Sequence, residues 1–140
     1  MSALEILQQY RKEKLEVQRI KMRIVELNDL CDNITQIITG DRVQTSPVGD
    51  RIGRIVADKA DTVAELEAEL EKAYAAQQQA ANLINKIEDP EYRLVLSLKY
   101  LACMTYMQAA HEMDRSYRWT WELHKRALRA AEQVVSSSAE

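Results

Sequence analysis

The chain has 140 residues, enough for one or two small domains, and is 46% hydrophobic with 3 Gly, 2 Pro and no Phe. Its wealth of Ala, Leu, Glu, Lys and Gln favours helix over sheet, and no apolar run approaches the ~20 residues of a bilayer span. The opening Met1-Ser-Ala-Leu-Glu5 lacks the basic and apolar regions of a signal peptide, and a formal charge of -3 argues against non-specific coating of nucleic acid.

Residues 2–39 read as one long helix. Ser2 and Glu5 have capping-box spacing, and Gly40 is a natural stop. Ile6, Tyr10, Val17, Ile20, Ile24, Leu27, Cys31, Ile34 and Ile38 recur alternately four and three apart, with Glu13 the one polar member of the series. A heptad seam of that length points to a coiled coil and away from an ordinary surface helix. Residues 40–49 (GDRVQTSPVG) form the best loop candidate.

A second seam follows through Ile52, Val56, Lys59, Val63, Leu66, Leu70, Ala73, Gln77, Ala80, Ile84 and Ile87, weakened by Lys59 and Gln77. Asp61-Thr62 with Glu65 would suit a fresh cap, so the pattern allows a break near residue 61. Two seams of similar length joined by a short loop most simply fold back as a long antiparallel helical hairpin, coiled-coil-like, with arms of about 50–57 Å. Such a hairpin buries one stripe per helix, which predicts dimerisation or packing against the C-terminal helices; a parallel intermolecular coil is the alternative. Residues 41–89 hold ten acids against six bases, the charge of a solvated coiled-coil face or of a surface for a basic partner.

Asp89-Pro90 ends the second arm and opens a new helix, with Asp as cap and Pro at the first helical position. Tyr92, Leu94, Val95, Leu96, Leu98, Tyr100 and Leu101 make this helix apolar on most sides, as a central support helix would be. Two further helices then meet at a tight corner. Thr105 and Gln108 form a capping box, and Ala109, Ala110 and Met113 are the inward residues of the first helix. Asp114 stands where the chain must turn, and Asp tolerates a left-handed conformation. Ser116 caps the second helix, which buries Thr120, Leu123, Ala127 and Leu128 and turns Tyr117, Arg118, Trp121, Glu122 and Lys125 outward. Five bases (Arg115, Arg118, Lys125, Arg126, Arg129) stand against the single acid Glu122 between residues 115 and 129. This is the layout of a helix-turn-helix offering a cationic helix start to the major groove; an ordinary helical hairpin in a bundle is the competing reading of the same pattern. Ser136-Ser-Ser-Ala-Glu140 reads as a frayed polar tail.

No catalytic constellation emerges. His111 and His124 lack Cys, His or Asp partners at zinc spacing, and three glycines leave little room for a phosphate loop. His111 reads as a surface or edge residue, whereas His124 either packs or contacts a phosphate. Cys31 and Cys103 fall in apolar helical patterns as buried thiols and not as a disulfide, which fits a reducing cytoplasm. The chain is therefore expected not to be an enzyme and to need no cofactor or metal.

The run Met104–Arg129 also resembles, without a gap, the region 4 helix-turn-helix of sigma-70-type factors. Thr105, Ala110, Met113, Ser116, Leu123 and Arg126-Ala-Leu-Arg129 carry the likeness. A phage- and prophage-associated family of small proteins with such a region 4-like module is resembled more widely. The segments concerned are Ser46-Pro-Val-Gly-Asp-Arg-Ile52, Asp89-Pro-Glu-Tyr-Arg-Leu-Val-Leu96, Leu98-Lys-Tyr-Leu101, Ser116-Tyr-Arg118 and Leu123-His-Lys-Arg-Ala-Leu128. The chain departs from that pattern with Asp114 in place of Gly, Arg115 for a small apolar residue, Thr120 for an aliphatic, and Trp119 and Trp121 where polar residues are commoner. The resemblance implies a regulator of phage late transcription, acting in the cytoplasm of a bacterial host.

Together these readings give an all-α protein in three parts: a hairpin over 1–88 for dimerisation or partner binding, a helix-turn-helix over 89–135, and the tail 136–140. The expected partners are double-stranded DNA, RNA polymerase and a second copy of the chain, with no membrane and no small-molecule substrate. Arg118, Trp121 and Glu122 are the candidates for base edges, with Glu122 able to accept from cytosine. Thr105, Tyr106, Ser116, Tyr117, Lys125, Arg126 and Arg129 are the candidates for phosphate contact. The functional alternative is a protein-interaction or assembly protein, either RNA polymerase-binding or a small terminase-like DNA-packaging component.

Overall fold

The computed structural model describes residues 1–40 and 46–138, with side chains over 1–34 and 49–138. Among these residues every regular element is helical: α1 (Ala3–Gly40), α2 (Ser46–Asn85), α3 (Pro90–Leu96), a π-helical turn (Ser97–Leu101), α4 (Tyr106–Met113) and α5 (Tyr117–Ser138). No described helix is long and apolar enough to cross a membrane.

Helix ends follow local chemistry. Glu5 N–H donates to Ser2 Oγ at 3.2 Å, as the capping spacing requires. A remote carboxylate satisfies more of the α1 N-terminus: Glu132 Oε1, from α5, accepts from Ala3 N–H at 2.9 Å and from Leu4 N–H at 3.4 Å. That placement also sets a negative charge on the positive end of the α1 dipole. α2 begins at Ser46, inside the stretch 40–49 read as a loop; residues 41–45 of that stretch lie outside the described residues. No break occurs near residue 61. Thr62 Oγ1 donates to the Asp58 carbonyl at 2.7 Å, one turn back, so its hydroxyl is satisfied within a continuous helix.

Two compact units divide the chain: Met1–Lys14 with Lys72–Glu140, and Leu15–Glu71. Residues 1–14 of α1 and 72–85 of α2 thus pack in one unit with the C-terminal helices. In the first unit that core gathers Ala3 and Leu7 of α1, Ala80, Leu83, Ile84 and Ile87, Val95 and Leu96 of α3, Tyr100, and Leu123, Ala127 and Ala131 of α5. Leu7 and Leu96 are wholly buried, and each such side chain contributes about 2 kcal/mol by leaving water. α3 packs on α5, and α4 packs on α5 and the π-helical turn.

In the second unit α1 buries Val17, Ile20 and Leu27 and half-buries Ile24, Cys31 and Ile34, the seam expected from its spacing; Ile38 lies outside the residues whose side chains are described. α2 departs from its expected seam. Val56 and Leu70 are exposed, at 53% and 44%, whereas Ile55 and Glu69 are half-buried in their place.

The helix expected over 89–101 starts as foreseen and then changes pitch. Asp89 Oδ1 accepts from Glu91 N–H at 2.9 Å, with Pro90 in the first turn. Beyond Leu96 the hydrogen bonds lengthen in register. Ala102 N–H donates to the Ser97 carbonyl at 2.9 Å and Met104 N–H to the Leu98 carbonyl at 3.0 Å. This wider turn shifts the facing of Lys99 and Tyr100 relative to an α-helical continuation. Two residues past its end stands Cys103, a non-glycine residue at φ 55°. Cys31 and Cys103 form no disulfide with each other and are half-buried, not fully buried as expected. The polar stretch 136–140 is helical as far as Ser138, and residues 139–140 lie outside the described residues.

Candidate functional site

Residues 105–129 build two helices around a three-residue corner, and each bond in it traces to a sequence signal. Thr105 N–H donates to Gln108 Oε1 at 2.9 Å while Gln108 N–H donates to Thr105 Oγ1 at 3.2 Å, a complete capping box. At the other end of α4, Asp114 is left-handed (φ 55°, ψ 46°). Its N–H donates to the His111 carbonyl at 3.2 Å, and Arg115 N–H donates to the Ala110 carbonyl at 3.0 Å, which together make a Schellman closure. Ser116 Oγ then accepts from Trp119 N–H at 3.1 Å and starts α5. The wholly buried Ala109 and the nearly buried Ala110 let α4 come close to α5.

α5 is two-faced. Thr120, Leu123, His124, Ala127 and Ala131 are buried, and Thr120 Oγ1 donates to the Ser116 carbonyl at 2.9 Å, so its hydroxyl is satisfied in the core. On the opposite side Arg118, Glu122, Lys125, Arg126 and Arg129 are exposed. Tyr117 is exposed with its ring edge-on to Tyr106, the centroids 5.8 Å apart. The two tryptophans divide. Trp119 packs against the core with the Arg115 guanidinium 4.8 Å from its ring centroid, whereas Trp121 lies at the surface with Lys125 Nζ 3.6 Å from its centroid. Thr105 and Ser116 are exposed and Tyr106 is half-buried.

Of the two readings of His124, packing holds: it is 5% exposed and cannot reach a phosphate directly. Tyr100 Oη lies 2.7 Å from its Nε2 and Tyr106 Oη 3.2 Å from its Nδ1. Burial, with the positive charge of Lys99 second, pushes the imidazole down to about 4, so it is neutral at physiological pH. Burial also raises both tyrosines, which keeps their hydroxyls protonated. Lys99 is half-buried, lies 4.1 Å from the Tyr106 ring centroid, and donates from Nζ to the Met104 carbonyl at 3.3 Å. Burial lowers its pKa, with Arg11 acting in the same direction. A helical period run through Thr120, Leu123 and Ala127 would have put His124 inside. Nothing in the sequence announces its two hydroxyl partners, which come from 24 and 18 residues away. His111 is exposed, as expected. Among the described residues no group of three His, Cys, Asp or Glu side chains is placed to hold a metal ion.

No curated protein and no solved structure matches this chain. One family model does, over residues 54–132, a span that takes in most of α2, all of α3 and α4, and the two-faced part of α5. With more than half of its length matched, the chain belongs to the family described as proteins of unknown function, DUF1492.

Proposed function

We propose that this protein is a DNA-binding transcriptional regulator of phage or prophage origin, reading duplex DNA with α5. In this reading α4, the corner and α5 form a helix-turn-helix of sigma region 4 type. The observation that carries it is the cationic face of the segment after the corner. Arg115, Arg118, Lys125, Arg126 and Arg129 are all exposed, and among the described residues none is held in a salt bridge. Five uncompensated cations against Glu122 on an acidic protein form a local phosphate-facing surface.

Arg118 and Glu122 sit one turn apart on the exposed face and are assigned to base edges, with Trp121 beside them. Lys125, Arg126, Arg129 and Tyr117 are assigned to the flanking phosphates. Thr105 and Ser116 use a lone pair of their hydroxyls for capping, so each keeps its own proton to donate to a phosphate oxygen. α1 and α2 are assigned a long antiparallel hairpin that sets the spacing of two half-sites in a homodimer. A mobility shift with duplex DNA at moderate salt tests the reading: binding at micromolar protein is expected, and its absence rejects it.

The second reading, an assembly protein, draws support from Leu15, Met22, Val25 and Leu30 of α1 and Val56 and Leu70 of α2, all more than 40% exposed. The partner would be RNA polymerase, or further copies in a small terminase-like ring. Light scattering on the eluted protein separates these, since a ring-sized mass favours packaging and a dimer favours the regulator.

A further inference from the structure

We infer that the buried Tyr100–His124 pair fixes the hydroxyl of Tyr106 as an outward hydrogen-bond donor for a phosphodiester oxygen, an inference that rests on the duplex-binding reading above.

The two ring nitrogens of His124 each face one tyrosine hydroxyl, Nε2 at 2.7 Å from Tyr100 and Nδ1 at 3.2 Å from Tyr106. A neutral imidazole has one N–H and one lone pair, so it receives a proton from one hydroxyl and gives its own to the other. The two hydroxyls are not equivalent. Tyr100 is 6% exposed, and Nε2 is the one hydrogen-bond partner of its hydroxyl among the described residues. Were Nε2 protonated, the Tyr100 proton would be left in the core without an acceptor, a costly defect.

The lower-energy arrangement has Tyr100 donating to Nε2 and Nδ1–H donating to Tyr106 Oη. Tyr106 then accepts from the core, and its own proton is free to point away from it. Its position suits that use. Tyr106 is the first residue of α4, half-buried, with its ring against Tyr117 at the start of α5. Lys99 Nζ, 4.1 Å from the ring centroid, adds positive potential at the same place. A phosphodiester is an acceptor only, so a hydroxyl committed to donating is matched to it, whereas one that must accept is not. Tyr106 therefore supplies a neutral donor beside Tyr117 at the start of α5, and His124, which touches no DNA, acts as a positioning residue.

Two measurements on the full chain test this. Nitrogen-15 NMR of labelled histidine at neutral pH, with His124→Gln identifying the signals, is expected to show His124 protonated at Nδ1 and bare at Nε2; the opposite tautomer overturns the inference. Tyr106→Phe, shown by thermal melting to remain folded, is expected to bind random-sequence duplex roughly three- to tenfold more weakly. The salt slope should not change, because a neutral donor displaces no counterion. Affinity equal to the parent's overturns the donor assignment alone, whereas a parent protein that binds no duplex rejects the underlying DNA reading and the phosphodiester target with it.

Discussion

Acid should destabilise this protein through His124. The imidazole is held near 4 in the folded chain, against about 6.5 when unfolded. A lowered folded value means that the unfolded chain binds more protons below pH 6.5. The contribution is therefore fully present above that pH and is lost as pH falls towards 4. With those two values the loss relative to pH 7.5 is about 2 kcal/mol at pH 5 and about 3 kcal/mol at pH 4. The assay is urea unfolding followed by far-ultraviolet circular dichroism at pH 7.5, 6.0 and 5.0, on the parent and on His124→Gln. Gln can still bridge two hydroxyls but does not titrate. The parent should lose about 2 kcal/mol more than the variant between pH 7.5 and 5.0. Parallel losses in the two proteins would refute the account of a neutral histidine held in the core.

Three further outcomes follow from the same contacts. Glu132→Ala removes the acceptor for Ala3 N–H and Leu4 N–H and should lower stability by about 1–2 kcal/mol, read as a shifted urea midpoint with an unchanged m value; no shift would mean that water caps α1 equally well. Asp114→Gly relieves a left-handed non-glycine residue at the corner and should stabilise by about 0.5–1 kcal/mol, seen as a higher melting temperature. A lower melting temperature would show that the Asp side chain contributes more than its backbone strain costs. In duplex titrations Arg118→Ala should relax base preference, whereas Arg129→Ala should weaken binding to all sequences and reduce the salt slope by about 0.9. Equal losses on every sequence for both variants would remove the division between base and phosphate contacts.

Much of the site was legible because its bonds are local. Thr105 with Gln108, Asp89 with Pro90, Ser116 and the left-handed Asp114 each act within a few residues, and all appear as the spacing required. The α1 seam was legible from Val17 to Leu27, where about one apolar residue per turn marks a single face. The α2 seam offered a choice, since Ile55 adjoins Val56 and Glu69 adjoins Leu70. Tertiary packing took the neighbour less favoured by hydropathy at residue 69. The π-helical turn was not legible, because neither Gly nor Pro marks a change from four-residue to five-residue hydrogen bonding. Nor was the capping of α1 by Glu132, or the enclosure of His124 by Tyr100 and Tyr106. Those contacts join residues far apart in the chain, and no periodicity records them.

The most direct test of DNA reading by α5 is selection of bound duplexes from a random pool by the full chain at moderate salt. The account predicts an enriched motif, repeated at a spacing set by two copies of α5, that is lost with Arg118→Ala. Recovery of unenriched duplexes, or an enriched motif that survives Arg118→Ala unchanged, would contradict it.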